Sequence, residues 1–426
     1  MLIEFTVANY LSFKEPVTLT MLASNYREFQ DTHVFNYKNF KLLKSAAIYG
    51  ANASGKSNLC KAMAFMADFI QTSSKETQIG EKIDITPFLL NTSCEKRPSE
   101  FEIVFFLNDN LYRYGFHITD KRIVKEWLYY VPKKSEKLLF ERSNDDFKLS
   151  PEFKEGEEWI EHTRENALFL SVIAQWKGSI STQIVQWITN NFKVVSGLNI
   201  TSDESIMMLS NSHFKDKFIE FLKAADFGIE GLDINTRDMS EAILSLPRAV
   251  QDLMVQKKLF LNMSTVNLLH KKYNENNQLV SLEKFDLIRQ ESMGTRKLFS
   301  ILASIISAVQ QQTTLVIDEL DSSLHPHLTQ KIIEIFNSES NEFNSQLIFN
   351  THDTNLLSNK IFRRDQIWFV EKDRYGASHL YSLAEYKDIR SDEAYEKNYL
   401  KGKYGAIPYF SEFDFLVNNN EEISNG

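Results

Sequence analysis

The sequence predicts an α/β fold: a mixed sheet built around a phosphate-binding loop, with an antiparallel β subdomain and an α-rich insertion. Three observations predict it. Gly50-Ala51-Asn52-Ala53-Ser54-Gly55-Lys56-Ser57 has the form G-x-x-x-x-G-K-[ST]. A second apolar run, Thr314-Leu315-Val316-Ile317, ends in Asp318-Glu319. Between them, Phe101, Ile103, Phe105 and Leu107, then Tyr112, Tyr114, Phe116 and Ile118, alternate as half-buried strands do.

The loop has the flanks it needs. Ala46-Ala47-Ile48-Tyr49 reads as a buried strand, and Leu59, Met63, Met66 and Ile70 share one face of a following helix. Gly50 and Gly55 let the backbone turn and point N–H groups at a phosphate. The helix N-terminus adds free N–H groups and partial positive charge. Lys56 is expected to reach the terminal phosphates as a point charge with little packing role, and Ser57 to ligate magnesium. The loop backbone from Gly50 to Ser57, together with Asn58, forms the candidate nucleotide cradle. Such a motif arises by chance on the order of once in a hundred chains of this length.

At 426 residues the chain is long for one core, so two or three lobes are expected. No run of eighteen apolar residues exists, so no membrane span is expected. Met1-Leu2-Ile3-Glu4-Phe5 lacks the pattern of a signal peptide. With only Cys60 and Cys94, a cytoplasmic protein without disulfides is expected, and Cys60 reads as a small buried residue. The net charge of −9 counts against a whole-surface nucleic-acid binder and leaves a local basic patch open.

In chain order, Ile3, Phe5 and Val7 and then Val17, Leu19 and Met21 predict two antiparallel strands. Residues 71–98 are irregular, with Pro87 and Pro98 as breakers. Beyond the alternating pair, Trp127–Val131 and Leu138–Glu141 extend a meander. From about Asn166 the pattern turns helical. A helix is expected at 211–226, and a hairpin joins Val266–Tyr273 to Leu279–Leu287. No heptad pattern is sustained, so no long coiled coil is predicted. Asn418 to Gly426 reads as a disordered tail. The division is 1–199, a lobe with the P-loop and the meander; 200–285, a mainly helical insertion with a hairpin; 286–390, a second lobe; and 391–426, a C-terminal extension and tail.

The second lobe carries three further motifs. In P-loop ATPases a strand like Thr314–Ile317 lies beside the P-loop strand. Its first acid, Asp318, holds magnesium, and the next, Glu319, polarises the attacking water. Ser292 and Gly294 stand at the start of a helix predicted over Arg296–Gln310, a second anion site. Gly294 is expected to stay small because phosphate approaches its backbone. Gln346-Leu347-Ile348-Phe349-Asn350-Thr351-His352-Asp353 is another strand ending in polar residues, with His352 aimed at a γ-phosphate.

The ordered set resembles the ABC-type ATPase head, and specifically the bacterial OLD-like and RloA-like branch. The resemblance rests on Glu291-Ser292-Met293-Gly294-Thr295 and on Asp318-Glu319-Leu320-Asp321-Ser322-Ser323-Leu324-His325-Pro326. It also covers Asn9-Tyr10-Leu11-Ser12-Phe13, Pro87-Phe88, and Gly402-Lys403-Tyr404-Gly405-Ala406-Ile407-Pro408. It implies an ATP- and Mg2+-dependent hydrolase whose P-loop in one subunit is closed by Ser292 and Gly294 of another. Lys56, Glu319 and His352 would carry the chemistry, with Ser57 and Asp318 on the metal. Members of this branch serve as ATPase subunits of anti-phage systems, including the PARIS and abortive-infection types, beside a separate effector that is often a Toprim-like nuclease. His325 and His327 fall in the dimer-facing loop by the resemblance, which leaves no metal site there.

Two departures from the pattern stand out. Segment 354–426 is short for a Toprim domain and lacks its acids, so no nuclease is predicted in this chain. The glutamine that joins the two lobes has no clear position; Gln175 is a candidate without support. The leading reading is a defence ATPase controlling a toxic effector. The alternative is an SMC- or RecF-like clamp in DNA repair, against which the missing coiled coil and acidic balance count. A transporter motor fits poorly with the long insertion between Asp68 and Ser292. Guanine specificity would need an Asn-Lys-x-Asp motif, which is missing.

Overall fold

A computed structural model describes residues 1–75, 78, 80–132, 135–196, 206, 208–225, 227–238, 247–248, 262–390 and 392–408. Its centre is a six-stranded sheet in the order Phe192–Val195, Thr314–Ile317, Gln346–Asn350, Ser45–Tyr49, Ile367–Lys372, Ser378–Ser382. The first five strands run parallel and the last antiparallel. Parallel strands need covered faces, and the three central ones, Thr314–Ile317, Gln346–Asn350 and Ser45–Tyr49, are buried along their whole length.

Side chains alternate across the sheet and feed two cores. Ala46 and Ile48 of the P-loop strand point into one, with Val316, Ile348, Trp368 and Val370. Ala47 and Tyr49 point into the other, with Leu315, Ile317, Leu347 and Phe349. The first core also receives the P-loop helix Lys56–Thr72 and a seven-stranded antiparallel sheet. That sheet contains Leu2–Ala8, Val17–Thr20 and a meander of five strands from Ser99 to Leu149. The second core receives the helices Met293–Val309 and Pro326–Asn337.

Three expectations change. The strand of Asp318 does not lie directly beside the P-loop strand; Gln346–Asn350 is inserted between them and pairs with both. Sequence separation carries no information about lateral order in a parallel sheet, because every connection is a crossover. Within the stretch after Asn166 whose pattern predicts helix lies a strand, Phe192–Val195; four residues directly following the helix Ser179–Asn191 give too short a run to betray a period. The insertion is not mainly helical among its described residues. It holds one long helix, Ser212–Ala224, and a three-stranded sheet of Ile229–Asp238, Asn262–Tyr273 and Leu279–Asp286. The hairpin is as expected, but Ile229–Asp238 has no clean apolar alternation to announce it.

The extension after 390 includes the helix Tyr395–Leu400, whose Tyr395 and Tyr399 enter the second core with Tyr404. The expected tail, 418–426, lies outside the described residues. No described helix is long and apolar enough to cross a membrane. Cys60 and Cys94 are free and buried.

Candidate functional site

The site lies at the carboxyl ends of three adjacent parallel strands. The P-loop strand delivers Gly50, the neighbouring strand ends at Asn350 and runs on to His352, and the next ends at Asp318 and Glu319.

Sterics account for the loop's glycines. A Cβ on Gly50 would collide with the Val370 carbonyl oxygen and stand 2.7 Å from Ser54 Oγ. Gly55 has φ 115 and caps the P-loop helix; a Cβ there would meet Ser378 Oγ and lie 2.6 Å from Ser12 Oγ. Ala53, at φ 60, completes the turn in a left-handed conformation. Two elements remote in sequence hold the loop from behind. Asn58 Nδ2 donates to Ser12 Oγ at 2.8 Å, Ser378 N donates to Ser12 O at 2.7 Å, and Ser378 Oγ donates to Ser54 O. The Ser54 hydroxyl is buried with no hydrogen-bond partner among the described residues, so it is free to meet a ligand held by the loop.

Lys56 has more of a packing role than its charge alone suggests. It is 5% exposed, and its Nζ donates to the carbonyls of Gly50 at 2.7 Å and Ala51 at 3.0 Å. Burial lowers its pKa to about 8, while Asp321, Glu319 and Asp318 pull it back up. Those three acids therefore lie within electrostatic reach of the P-loop lysine. His352 joins the same cluster. Partial desolvation and the Lys56 charge depress its pKa, opposed by Asp321, Glu319 and Asp318. Its backbone N–H donates to Asp321 Oδ2 at 3.1 Å while its ring reaches solvent.

Glu319 is exposed and sits at φ 54, a region a non-glycine residue adopts only when its surroundings hold it there. Asn350 is fully buried between the two acids. Its Nδ2 donates to Asp318 Oδ1, and its Oδ1 accepts from the Glu319 N–H at 2.6 Å.

Ser292 and Gly294 stand apart from this cluster. Among the described residues no hydrogen bond or ion pair joins either to residues 50–58. Ser292 caps the helix Met293–Val309, its Oγ accepting from Thr295 N at 3.1 Å, and it remains exposed. A Cβ on Gly294 would lie 2.7 Å from the Ser323 carbonyl oxygen. That contact within the chain by itself already requires a small residue. Lys297, one turn on, is buried and lies 3.4 Å from the Asp318 carbonyl oxygen, so the same helix backs the acidic strand end. Gln175 ends the helix Phe169–Gln175 and is exposed there. The strand end beside Asp318 belongs to Val195, whose carbonyl accepts from Asp318 N at 3.0 Å; the continuation at 197–205 is outside the described residues.

A family model described as AAA domain, putative AbiEii toxin, Type IV TA system matches residues 45–358. The chain belongs to this family. The match begins at Ser45, the first residue of the P-loop strand, and ends just past His352, so it encloses the whole cluster. This AAA-domain chain is a P-loop ATPase. No curated protein matches it. Similar solved structures include an SMC head domain from Thermotoga maritima, 13% identical, covering 89% of this chain and 98% of that one, with a TM-score of 0.38. Another is an SMC head bound to the C-winged helix domain of ScpA, also 13% identical, covering 89% and 97%, with a TM-score of 0.40.

Asp321, Asn350, Ser12 and Ser378 are the members of the site that sequence reasoning did not assign. Asp321 and Ser12 lie inside motifs already recognised, and Asn350 directly precedes Thr351-His352. Ser378 gives no sequence signal.

The donor set suits magnesium. Ser57 offers a hydroxyl in the first helical turn and Asp318 a carboxylate, both hard oxygen ligands. Among the described residues no group of three or more His, Cys, Asp or Glu converges as a metal cage. That fits an ion completed by phosphate oxygens and water.

Proposed function

We propose that this AAA-domain ATPase binds and hydrolyses ATP in the ABC manner, with each site shared between two copies of the chain. The observation that carries the reading is the convergence of Lys56, Asp318, Glu319, Asp321 and His352 at neighbouring strand ends, while Ser292 is exposed and, among the described residues, bonds to none of residues 50–58. The P-loop N–H groups and Lys56 hold the β- and γ-phosphates. Ser57 and Asp318 hold Mg2+, which neutralises charge on the phosphate oxygens when bound. Glu319 orients the attacking water, and His352 steadies the γ-phosphate. The exposed Ser292 and the N–H groups of its helix supply donors to the partner's nucleotide. Hydrolysis removes the bridging charge and loosens the pair.

We read the biological role as a regulatory ATPase of an anti-phage system that controls a separate toxic effector of the nuclease kind. The family description, with its toxin and toxin–antitoxin terms, supports that direction. The test is ATP turnover together with sedimentation in the presence and absence of Mg-ATP. Turnover with ATP-dependent association supports the shared site. Undiminished turnover by a strict monomer overturns it, and strong stimulation by DNA would favour a clamp on nucleic acid.

A further inference from the structure

We infer that Asn350 is the positioning residue of the hydrolytic centre, setting the carboxylate of Asp318 and the backbone of Glu319 with a single side chain. The inference rests on the ATPase reading above. Asn350 ends the strand inserted between the P-loop strand and the Asp318 strand, so its side chain emerges between the two halves of the site. It is 0% exposed. A buried amide with unmatched groups is costly, so its partners define its orientation. Asp318 Oδ1 can only accept, which places Nδ2 on that side. The Glu319 N–H can only donate, which places Oδ1 on the other. Nδ2 also lies 3.7 Å from Cys60 Sγ on the P-loop helix. The Asn350 main chain adds a further tie, its carbonyl accepting from Leu320 N at 3.2 Å.

The consequence falls on Glu319. At φ 54 its backbone is strained, and its N–H is held by Asn350 Oδ1 beside the main-chain tie at Leu320. Without that acceptor the peptide relaxes, and the Glu319 carboxylate leaves the position from which it orients water. Asp318 is only half-buried and Glu319 is exposed, so water can satisfy both once the amide is gone. The fold therefore survives while the geometry does not. A misplacement on the ångström scale costs on the order of 10²-fold in rate.

The experiment is a double-mutant cycle on turnover. Asn350→Ala should lower kcat by about tenfold or more and leave ATP binding in EDTA unchanged, because the P-loop contacts are separate. In the Glu319→Gln background, the same substitution should cost clearly less than in the wild-type chain, since the share of its effect that runs through Glu319 is already lost and only the share through Asp318 remains. An equal loss in both backgrounds means a merely structural role and overturns the inference, as does an unchanged kcat. Asn350→Leu, which fills the volume without either polar group, carries the test if the smaller side chain leaves the chain unfolded. Absence of turnover in the wild-type chain would instead overturn the ATPase reading itself.

Discussion

The carbonyl oxygen of Ser323 stands 2.7 Å from the place a Cβ on Gly294 would occupy. The loop after the Asp318 strand and the first turn of the Ser292 helix are thus packed backbone against backbone. A rearrangement at one must be felt at the other, because neither has a flexible side chain to absorb it.

That contact separates two substitutions that look alike in sequence. Gly294→Ala should destabilise the isolated chain without nucleotide, by about 1–3 kcal/mol for overpacking. Thermal denaturation checks this. Ser292→Asp should not, because aspartate is as good an N-cap as serine. Its carboxylate would repel the partner's phosphate, so ATP-dependent association and turnover should be lost. Wild-type turnover by folded Ser292→Asp would remove Ser292 from the site.

Lys56→Ala should abolish ATP binding and also lower thermal stability. The stability effect follows from the two carbonyls, Gly50 and Ala51, that lose their donor. Each such hydrogen bond contributes about 1 kcal/mol. Calorimetric titration with ATP and a melting curve read the two effects separately. Unchanged ATP affinity would remove the P-loop assignment.

Glu319→Gln and Asp318→Asn should behave differently. The first keeps the side chain's size and leaves Asp318 to hold magnesium, so ATP should bind and the closed dimer accumulate. Turnover should fall by about two to four orders of magnitude. Asp318→Asn weakens the metal site and should reduce association as well. Turnover and oligomer size in Mg-ATP distinguish them, and a wild-type rate for Glu319→Gln would discard Glu319 as the water-orienting residue.

Stability should fall with acid through His33. Its Nδ1 bonds Gln366 Oε1 at 2.7 Å, and Gln366 Nε2 donates to Ser45 Oγ at 2.8 Å, at the foot of the P-loop strand. Burial lowers the His33 pKa from 6.5 to about 4, with Arg363 and Lys44 opposing protonation. The unfolded chain therefore takes up the proton first. Stability is full above pH 6.5 and declines as pH falls toward 4, by on the order of 3 kcal/mol. His33→Gln should flatten this part of the melting-temperature profile between pH 7 and pH 5. An identical pH dependence in both proteins would exclude His33 as its source.

Local pattern was enough for the phosphate loop, its flanking strand and helix, the Asp318-Glu319 strand end, the Ser292 cap and the meander. Each of these is set within a few residues, by glycine conformation, by a period of two or 3.6, or by a capping hydroxyl. The tertiary structure alone decided which strand ends meet. It put Gln346–Asn350 between the two motif strands and so made Asn350 the link between Asp318 and Glu319. It brought Ser12 behind Gly55 together with Ser378, which lies more than three hundred residues further along the chain. It also turned Lys56 into a buried tie and gave Gly294 its constraint from Ser323. These relations depend on lateral order in a parallel sheet and on close approach between distant segments. Neither leaves a periodic trace along the chain, because the energy that selects them is the burial of both sheet faces at once.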